Sequence, residues 1–282
     1  MKGTPVMTSD EAVEPGDGET GPLPFDTSVA HQARIYDFLL GGKDNYAADR
    51  AAAEAVLQIY PETVFAARGN RAFLGRAIRY LAADAGIRQF LDIGTGIPTA
   101  GNTHEVAQAV APESRVVYTD YDPVVLAHAR ALLTSGEAGA TEYIHADLRD
   151  TGTILTQAGQ LLDFTKPVAV TLLAVLHVIP DADNPHAIVA KLTDALPPGS
   201  YLAISHGGTD LVDRSKQESF QSTWNGKVQQ RFAGRTREQV ARFFTGLDLV
   251  EPGLVPVEQW RPDPGTSKPD NSAMWGAVAR KH

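Results

Sequence analysis

The alternation that begins at Gly86 limits the folds open to this chain more than any other feature. Short apolar runs at residues 89–93, 115–119, 141–145, 168–173 and 200–205 have strand character, and helical stretches at 103–110, 123–133, 153–162 and 182–196 fall between them. Strand and helix in alternation imply βαβ units, a parallel sheet and helices on both of its faces. The end of the chain differs. Helical stretches at 215–232 and 236–244 precede strand-like runs at 247–251 and 274–279, and a Pro/Gly/Asp-rich loop at 261–271 joins those two strands as an antiparallel hairpin would. Thr236 followed by Gln239 is a capping box for the second of these helices. The expectation is therefore five parallel strands and a terminal antiparallel pair.

What precedes Gly86 is helical. Ile35, Phe38 and Leu39 share a face, Gly41-Gly42 ends that helix, 47–57 resumes it, and Pro61 breaks it before a last run to Gly86. Residues 1–24 hold four Gly, four Pro, five acids and one Lys without an aromatic residue, a composition expected of a disordered tail. The remainder, 25–282, reads as one domain, with a helical cap at 25–85 and a sheet unit at 86–282.

Composition removes several functions. With no cysteine among 282 residues there is no disulfide framework, no Cys-ligated metal and no thiol nucleophile, and no metal site is expected. A net charge of −9 argues against broad capture of a nucleic-acid backbone, and no apolar stretch approaches a membrane span. The absence of a charged-then-apolar leader makes the cytoplasm the expected location.

The first strand carries the chemistry. Gln89-Phe-Leu-Asp92-Ile-Gly94-Thr95-Gly96 is a strand running into a Gly-x-Gly turn, where glycine admits a ligand close to the backbone at the carboxyl ends of the strands. Asp92 discriminates among ligands. A carboxylate two residues before the first glycine repels a pyrophosphate but suits a cationic centre and an ammonium group, and S-adenosylmethionine has both. The glycine spacing also departs from the dinucleotide fingerprint, and no Gly-Lys-Ser/Thr follows to make a P-loop. Asp120, closing the second strand, is a candidate acceptor for both ribose hydroxyls, with Tyr121 against the adenine face. Asp147 is a candidate for the adenine amino group and Leu148 for packing on the ring. Asp122, before Pro123, is an N-cap candidate and is grouped with the cofactor contacts.

These residues resemble a class I S-adenosylmethionine-dependent methyltransferase over 85–206, through Asp92-Ile-Gly-Thr-Gly96, Asp120, Ala146-Asp147-Leu148, Leu173-Ala-Val-Leu-His177 and Leu196-Pro-Pro-Gly-Ser-Tyr201. A closer similarity extends over nearly the whole chain from Phe25. Arg34-Ile-Tyr-Asp-Phe-Leu-Leu-Gly-Gly-Lys-Asp-Asn-Tyr46, Gly69-Asn-Arg-Ala-Phe-Leu74, Val175-Leu-His-Val-Ile-Pro-Asp181 and the run Pro252 to Val257 resemble the actinobacterial S-adenosyl methyltransferase family formerly classed as a domain of unknown function. The resemblance implies an α/β, doubly wound, Rossmann-like, seven-stranded and mostly parallel sheet of order 3-2-1-4-5-7-6 with its last strand antiparallel. It also implies S-adenosylmethionine as cofactor, S-adenosylhomocysteine as product, and Ala174 after the fourth strand as a contact. Many such enzymes carry a third glycine where this chain has Pro98, so the helical cap is expected to supply contacts through Tyr36, Gly41, Gly42, Asn45 and Tyr46, with Arg68 and Arg71 as partners for the cofactor carboxylate.

Methyl transfer is an in-line displacement that alignment and exclusion of water can accelerate without a catalytic dyad. His177 has two readings, a proton acceptor for the substrate or a pocket-shaping residue bonded to a neighbouring loop. His206, Trp224 and Tyr201 are weaker pocket candidates, and His145 is structural. No Asn/Asp-Pro-Pro-Tyr segment follows the fourth strand, which together with the acidic balance favours a small-molecule acceptor over nucleic acid or a membrane. Two rival readings are an NAD(P)-dependent oxidoreductase and a non-catalytic S-adenosylmethionine-binding regulator. Oligomeric state is not legible.

Overall fold

A computed structural model of the chain describes residues 26–132, 136, 138–265 and 272–282. The expected tail, the end of the helix expected to reach residue 133, and 266–271 of the terminal loop lie outside these residues.

The strands form where β-branched and aromatic residues concentrate. Five of them, β1 (Gln89–Ile93), β2 (Arg115–Asp120), β3 (Ala140–His145), β4 (Ala169–Leu173) and β5 (Tyr201–Gly207), pair in parallel in the order β3-β2-β1-β4-β5. Strands β1, β4 and β5 are buried along their whole length, as central strands covered on both faces must be. Beyond β5 lies β8 (Met274–Arg280), antiparallel to it and followed by β6 (Asp248–Leu249). The expected seven strands thus take the expected order. An eighth, β7 (Val255–Pro256), pairs antiparallel with β8 and was not anticipated.

Helices α4 (Thr103–Val110) and α5 (Pro123–Leu132) follow β1 and β2, and alternation along each strand builds two cores. Leu91, Ile93, Val117, Val170, Leu172, Leu202 and Ile204 face one side. There they meet α6 (Thr151–Ala158), α7 (Pro185–Asp194) and the turn carrying Phe243 and Phe244 beyond α9 (Arg237–Ala241). Phe90, Val116, Tyr118, Ala169, Ala203 and Val278 face the other and meet α3 (Thr63–Ala83) through Phe73, Leu74, Ala77, Ile78 and Leu81. Each fully buried side chain of this size contributes about 1.5–3 kcal/mol. Phe73 meets the buried Trp260 edge-on at 5.4 Å, which holds the turn after β7 beneath α3.

The N-terminal helices divide in role. α3 belongs to the sheet's second layer, whereas α1 (Gln32–Leu39) and α2 (Ala47–Ile59) pack with α8 (Arg214–Lys227) in a separate cluster around Ile35, Val56 and Trp224. That cluster stands over the carboxyl ends of β1 and β4 and forms a roof.

Several boundaries differ from expectation for local reasons. α8 ends at Lys227, not at 232, because Val228 turns extended to bridge Ala30 and the following segment bridges Gly208 at Arg235. α7 starts at Pro185, since Asn184 caps it from a left-handed conformation (φ 50°) and Pro185 presets the first turn. α6 stops at Ala158 before Gly159. The capping box of Thr236 and Gln239 is present.

Candidate functional site

Two cavities meet over the carboxyl ends of the parallel strands. The first is a cleft above β1 and β2. Its floor is the turn after β1, where Gly94 and Gly96 hold φ of 78° and 67°. The Gly94 amide donates to the Thr119 carbonyl at 2.8 Å, and a Cβ at Gly94 would lie 2.6 Å from the Val175 side chain. Only glycine lets this turn sit against the end of β4. Gly96 has open space where its Cβ would be.

Two buried carboxylates line the cleft. Asp92 accepts from the Thr171 and Thr103 hydroxyls at 2.7 and 2.6 Å, and burial pushes its carboxyl above the ordinary range because no cation pairs with it directly. Asp120 accepts backbone N–H groups from Gly96 at 2.8 Å, Tyr121 at 2.8 Å and Asp122 at 3.0 Å, and burial raises it as well. The roof comes from distant sequence. His31 meets the Tyr121 hydroxyl at 2.9 Å, the Gln32 amide donates to Gln230 at 3.1 Å, and Gln230 donates to Tyr121. Arg71 on α3 reaches the Ala100 carbonyl at 2.9 Å and lines the far end.

The second cavity is an apolar chamber between α1, α3, α8 and the ends of β4 and β5. Tyr60, Phe220, Trp224 and Phe232 give it an aromatic wall. Gln32, Tyr36 and Ala174 line both cavities and form the seam between them. Ala174 takes a positive φ of 55° there, which turns its carbonyl to accept from the Gln32 carboxamide at 2.6 Å. Ser205 receives the Ala174 amide at 2.9 Å and donates to Asn70, and Asn70 donates to the Tyr36 hydroxyl at 2.9 Å. The Tyr36 hydroxyl in turn donates to the Ala67 carbonyl at 3.0 Å, and burial pushes it up to about 12. A chain of hydrogen bonds therefore fixes the seam.

His177 lies in the chamber wall with the Gly207 amide at 3.3 Å from Nδ1 and the Gln32 carboxamide nitrogen at 3.2 Å from Nε2, and as a neutral ring it accepts from one of the two. An imidazolium would find no acceptor here. Burial, with the Arg235 charge nearby, lowers its pKa to about 4. Of its two readings these surroundings support the pocket-shaping one.

A pH effect follows. The folded protein keeps His177 neutral down to about pH 4, whereas the unfolded chain protonates it near 6.5. The unfolded state therefore binds more protons between those values, and stability falls as pH drops through the window. The full difference is roughly 3 kcal/mol at ~1.36 kcal/mol per unit. Asp92 and Asp120, raised by burial, act in the opposite sense, so the comparison must be with a variant. Urea midpoints measured from pH 7 to 4 should decline less steeply in His177→Gln than in the parent. Parallel declines would contradict this account of the histidine.

Comparison with known proteins supplies the lineage. The model of the family described as S-adenosyl methyltransferase matches residues 19–282. The chain belongs to the S-adenosyl methyltransferase family. A DUF574 family protein from Streptomyces avermitilis MA-4680 is 45% identical, with 91% of this chain and 99% of that one covered and a TM-score of 0.86. A Thermobifida fusca YX protein, described as a methyltransferase, is 38% identical over 94% and 99% of the two chains, with a TM-score of 0.84. At 12% identity and a TM-score of 0.51, over 89% and 96% of the two chains, a plantazolicin methyltransferase shares the fold alone. Comparison with curated proteins gives no match.

As a member of this S-adenosyl methyltransferase family, the chain is an S-adenosylmethionine-dependent methyltransferase, and the cleft can be tested for its fit to that cofactor. It offers buried, cation-deficient carboxylates at Asp92 and Asp120, an arginine at the opposite end, a glycine turn with open space at Gly96, and apolar surface from Ala146 and Leu148. These match an ammonium and diol, a carboxylate, close backbone approach and a flat ring. The residues fit.

Of the residues expected at the cofactor, Asp92, Gly94, Thr95, Gly96, Asp120, Tyr121, Leu148, Ala174, Tyr36 and Arg71 line the cleft. Others are not brought there. The Asp122 carboxylate caps Val124 at 2.9 Å and pairs with His31 at 2.9 Å. Asp147 turns to the Arg149 amide at 2.8 Å. Gly42 and Asn45 wrap around buried Asp37, whose carboxylate accepts from Asp44 at 2.9 Å and Asn45 at 2.8 Å, so the glycine-rich break is a turn organised on an aspartate. Arg68 is exposed on α3. Among the pocket candidates Trp224 lines the chamber, while His206 bonds to Arg235 at 2.8 Å and Tyr201 packs on Tyr80. His145 bonds to the Tyr121 carbonyl at 2.9 Å in a structural role. His31, Gln32, Asn70 and Gln230 were missed, since each is an isolated polar residue that only the tertiary fold carries to the cleft. No metal-binding cluster and no helix long and apolar enough to cross a membrane occur among the described residues.

Proposed function

We propose that this methyltransferase passes a methyl group directly from S-adenosylmethionine to a small-molecule acceptor held in the apolar chamber. One observation carries the reading. The carboxylate-lined cleft and the chamber share a wall of Gln32, Tyr36 and Ala174, so a donor in one and an acceptor in the other meet at a fixed seam. When bound, the donor supplies a methyl carbon already activated by its sulfonium.

The chain's own residues then bind, orient and exclude water. Asp92 receives the ammonium group, Asp120 the ribose hydroxyls and Arg71 the carboxylate, while Tyr121 and Leu148 flank the adenine and the Gly94-Thr95-Gly96 backbone lies beneath. The roof from His31, Gln32 and Gln230 shuts solvent away from the seam. Residues 25–85, taken as the roofing part of one domain spanning 25–282, contribute most of that cover, and α3 doubles as a layer of the sheet. With no cysteine in the sequence, transfer through an enzyme thiol has no carrier.

Calorimetry with S-adenosylhomocysteine tests the reading. The parent should give a one-to-one isotherm, and Asp92→Asn, which keeps the shape and can still bond Thr103 and Thr171, should weaken it about tenfold or more through the lost charge. Absence of heat at millimolar ligand, or an unaltered isotherm in the variant, would sink it.

A further inference from the structure

The chamber's wall limits which nucleophile can work at the seam, and the limit rests on the proposed methyl transfer. Among its described lining residues there is no carboxylate. The ionisable groups are Tyr36, Tyr60, His177 and Lys216, and none is placed to take a proton from a substrate at the seam. Tyr36 already donates its proton to Ala67, and in either neutral tautomer the one accepting nitrogen of His177 faces an N–H group of the protein. Tyr60 is raised by burial and so stays protonated. Lys216 is engaged by Tyr60 and Glu62, 5.7 Å over the ring of the first and 3.8 Å from the carboxylate of the second. A hydroxyl acceptor, whose oxygen is a poor nucleophile until its proton is removed, has no base here. An uncharged nitrogen needs none, because its lone pair is free while it still carries hydrogen.

The seam also holds an unmet acceptor. Gln32 spends its carboxamide nitrogen on the Ala174 carbonyl at 2.6 Å and on His177 at 3.2 Å, and its Oε1 is buried without a hydrogen-bond partner. The short contact to a carbonyl fixes which end of the carboxamide is nitrogen. A buried acceptor left unpaired is costly, and a donor delivered at the seam would relieve it. Phe220, Trp224 and Phe232 line the chamber as one aromatic cluster, in stacked, edge-on and tilted pairs with centroids 5.0–6.2 Å apart. Such surroundings disfavour an ammonium ion and favour a neutral ring.

We propose that the acceptor is an aromatic amine, uncharged at neutral pH, whose ring lies against Phe220, Trp224 and Phe232 and whose N–H is received by Gln32. In the reaction the nitrogen lone pair forms the new N–C bond and the C–S bond breaks with its electron pair going to sulfur. The arylammonium so formed gives up its proton to bulk water as the product leaves the chamber. No protein base is required at any point, and His177 serves as a positioning residue that orients the Gln32 carboxamide.

Three probes of one ring skeleton separate the parts of this proposal: 1-naphthylamine, 1-naphthol and N,N-dimethyl-1-naphthylamine. Each is titrated by calorimetry into the full chain preloaded with S-adenosylhomocysteine, and the first two are then assayed with S-adenosylmethionine for S-adenosylhomocysteine release. Naphthylamine should bind about tenfold more tightly than its dimethyl analogue, the difference should vanish in Gln32→Leu, and naphthylamine should be methylated at least tenfold faster than naphthol. Equal binding of the two amines overturns the role of Gln32. Naphthol turnover as fast as that of naphthylamine overturns the base-free nitrogen. A chain that binds S-adenosylhomocysteine yet neither binds nor methylates naphthylamine overturns the aromatic-amine assignment, whereas a chain that fails to bind S-adenosylhomocysteine overturns the methyl-transfer reading beneath it.

Discussion

Asp120→Ala should lower the affinity for S-adenosylhomocysteine by about a hundredfold or more while leaving the sheet folded. The carboxylate does two things at once. It holds the amides of Gly96, Tyr121 and Asp122 on two oxygens, which fixes the turn after β1 and the turn after β2 in one arrangement. It also faces the cleft as a buried acid. Each amide left without an acceptor costs about 1–3 kcal/mol unless water replaces it, and the direct contacts to the ligand are lost as well. Two or three kilocalories spread over binding is about the stated hundredfold, at ~1.4 kcal/mol per decade. Calorimetry checks the affinity and far-UV circular dichroism the fold. An affinity within threefold of the parent would contradict the role given to Asp120.

Arg235→Ala should destabilise the fold by about 3–5 kcal/mol, since three buried acceptors lose their donor at about 1–3 kcal/mol each. The ion pair with Asp181 is the smaller part, since that carboxylate is 79% exposed and surface pairs are worth at most about 1 kcal/mol. The larger part lies in the interior. Arg235, 3% exposed, donates to the carbonyls of Leu176 and Ile179 at 3.0 Å each and to His206 Nε2 at 2.8 Å. His206 can accept because its other nitrogen donates to the Gly207 carbonyl at 3.0 Å. Without the guanidinium those carbonyls are buried and unpaired, and the turn after β4 that carries His177 loses its tether. Arg235→Lys should recover only part of the loss, because a single ammonium cannot span all four acceptors. Urea unfolding gives the number, and a loss below about 1 kcal/mol would show that water replaces the guanidinium.

The sheet was legible because its signal is periodic and local. Strands such as Gln89–Ile93 announce themselves by apolar runs, and the glycine turn with Asp92 and Asp120 follows from where those runs end. Phe232 shows where periodicity fails. It continues the apolar spacing of α8, yet Val228 leaves the helix to bridge Ala30, and Phe232 closes on His177 at 5.3 Å between ring centroids. The glycine-rich break at Gly41-Gly42 misled for a different reason. Its polar residues looked available to a ligand, but Asp37, one turn earlier on α1, had already claimed them. Asp122 likewise pairs with His31, 91 positions away, a partner that no local pattern names. Strand ends can be read from spacing, while roofs and seams depend on which distant residues the tertiary fold brings together.

The central claim is that cofactor cleft and acceptor chamber meet at Gln32, Tyr36 and Ala174. A crystal structure of the chain with S-adenosylhomocysteine tests it most directly. The account predicts the ribose at Asp120, the amino group at Asp92 and the thioether sulfur facing the seam, with the chamber left open beyond it. A ligand seated in the aromatic chamber, or one in the cleft whose sulfur faces away from Ala174 and Tyr36, would contradict it.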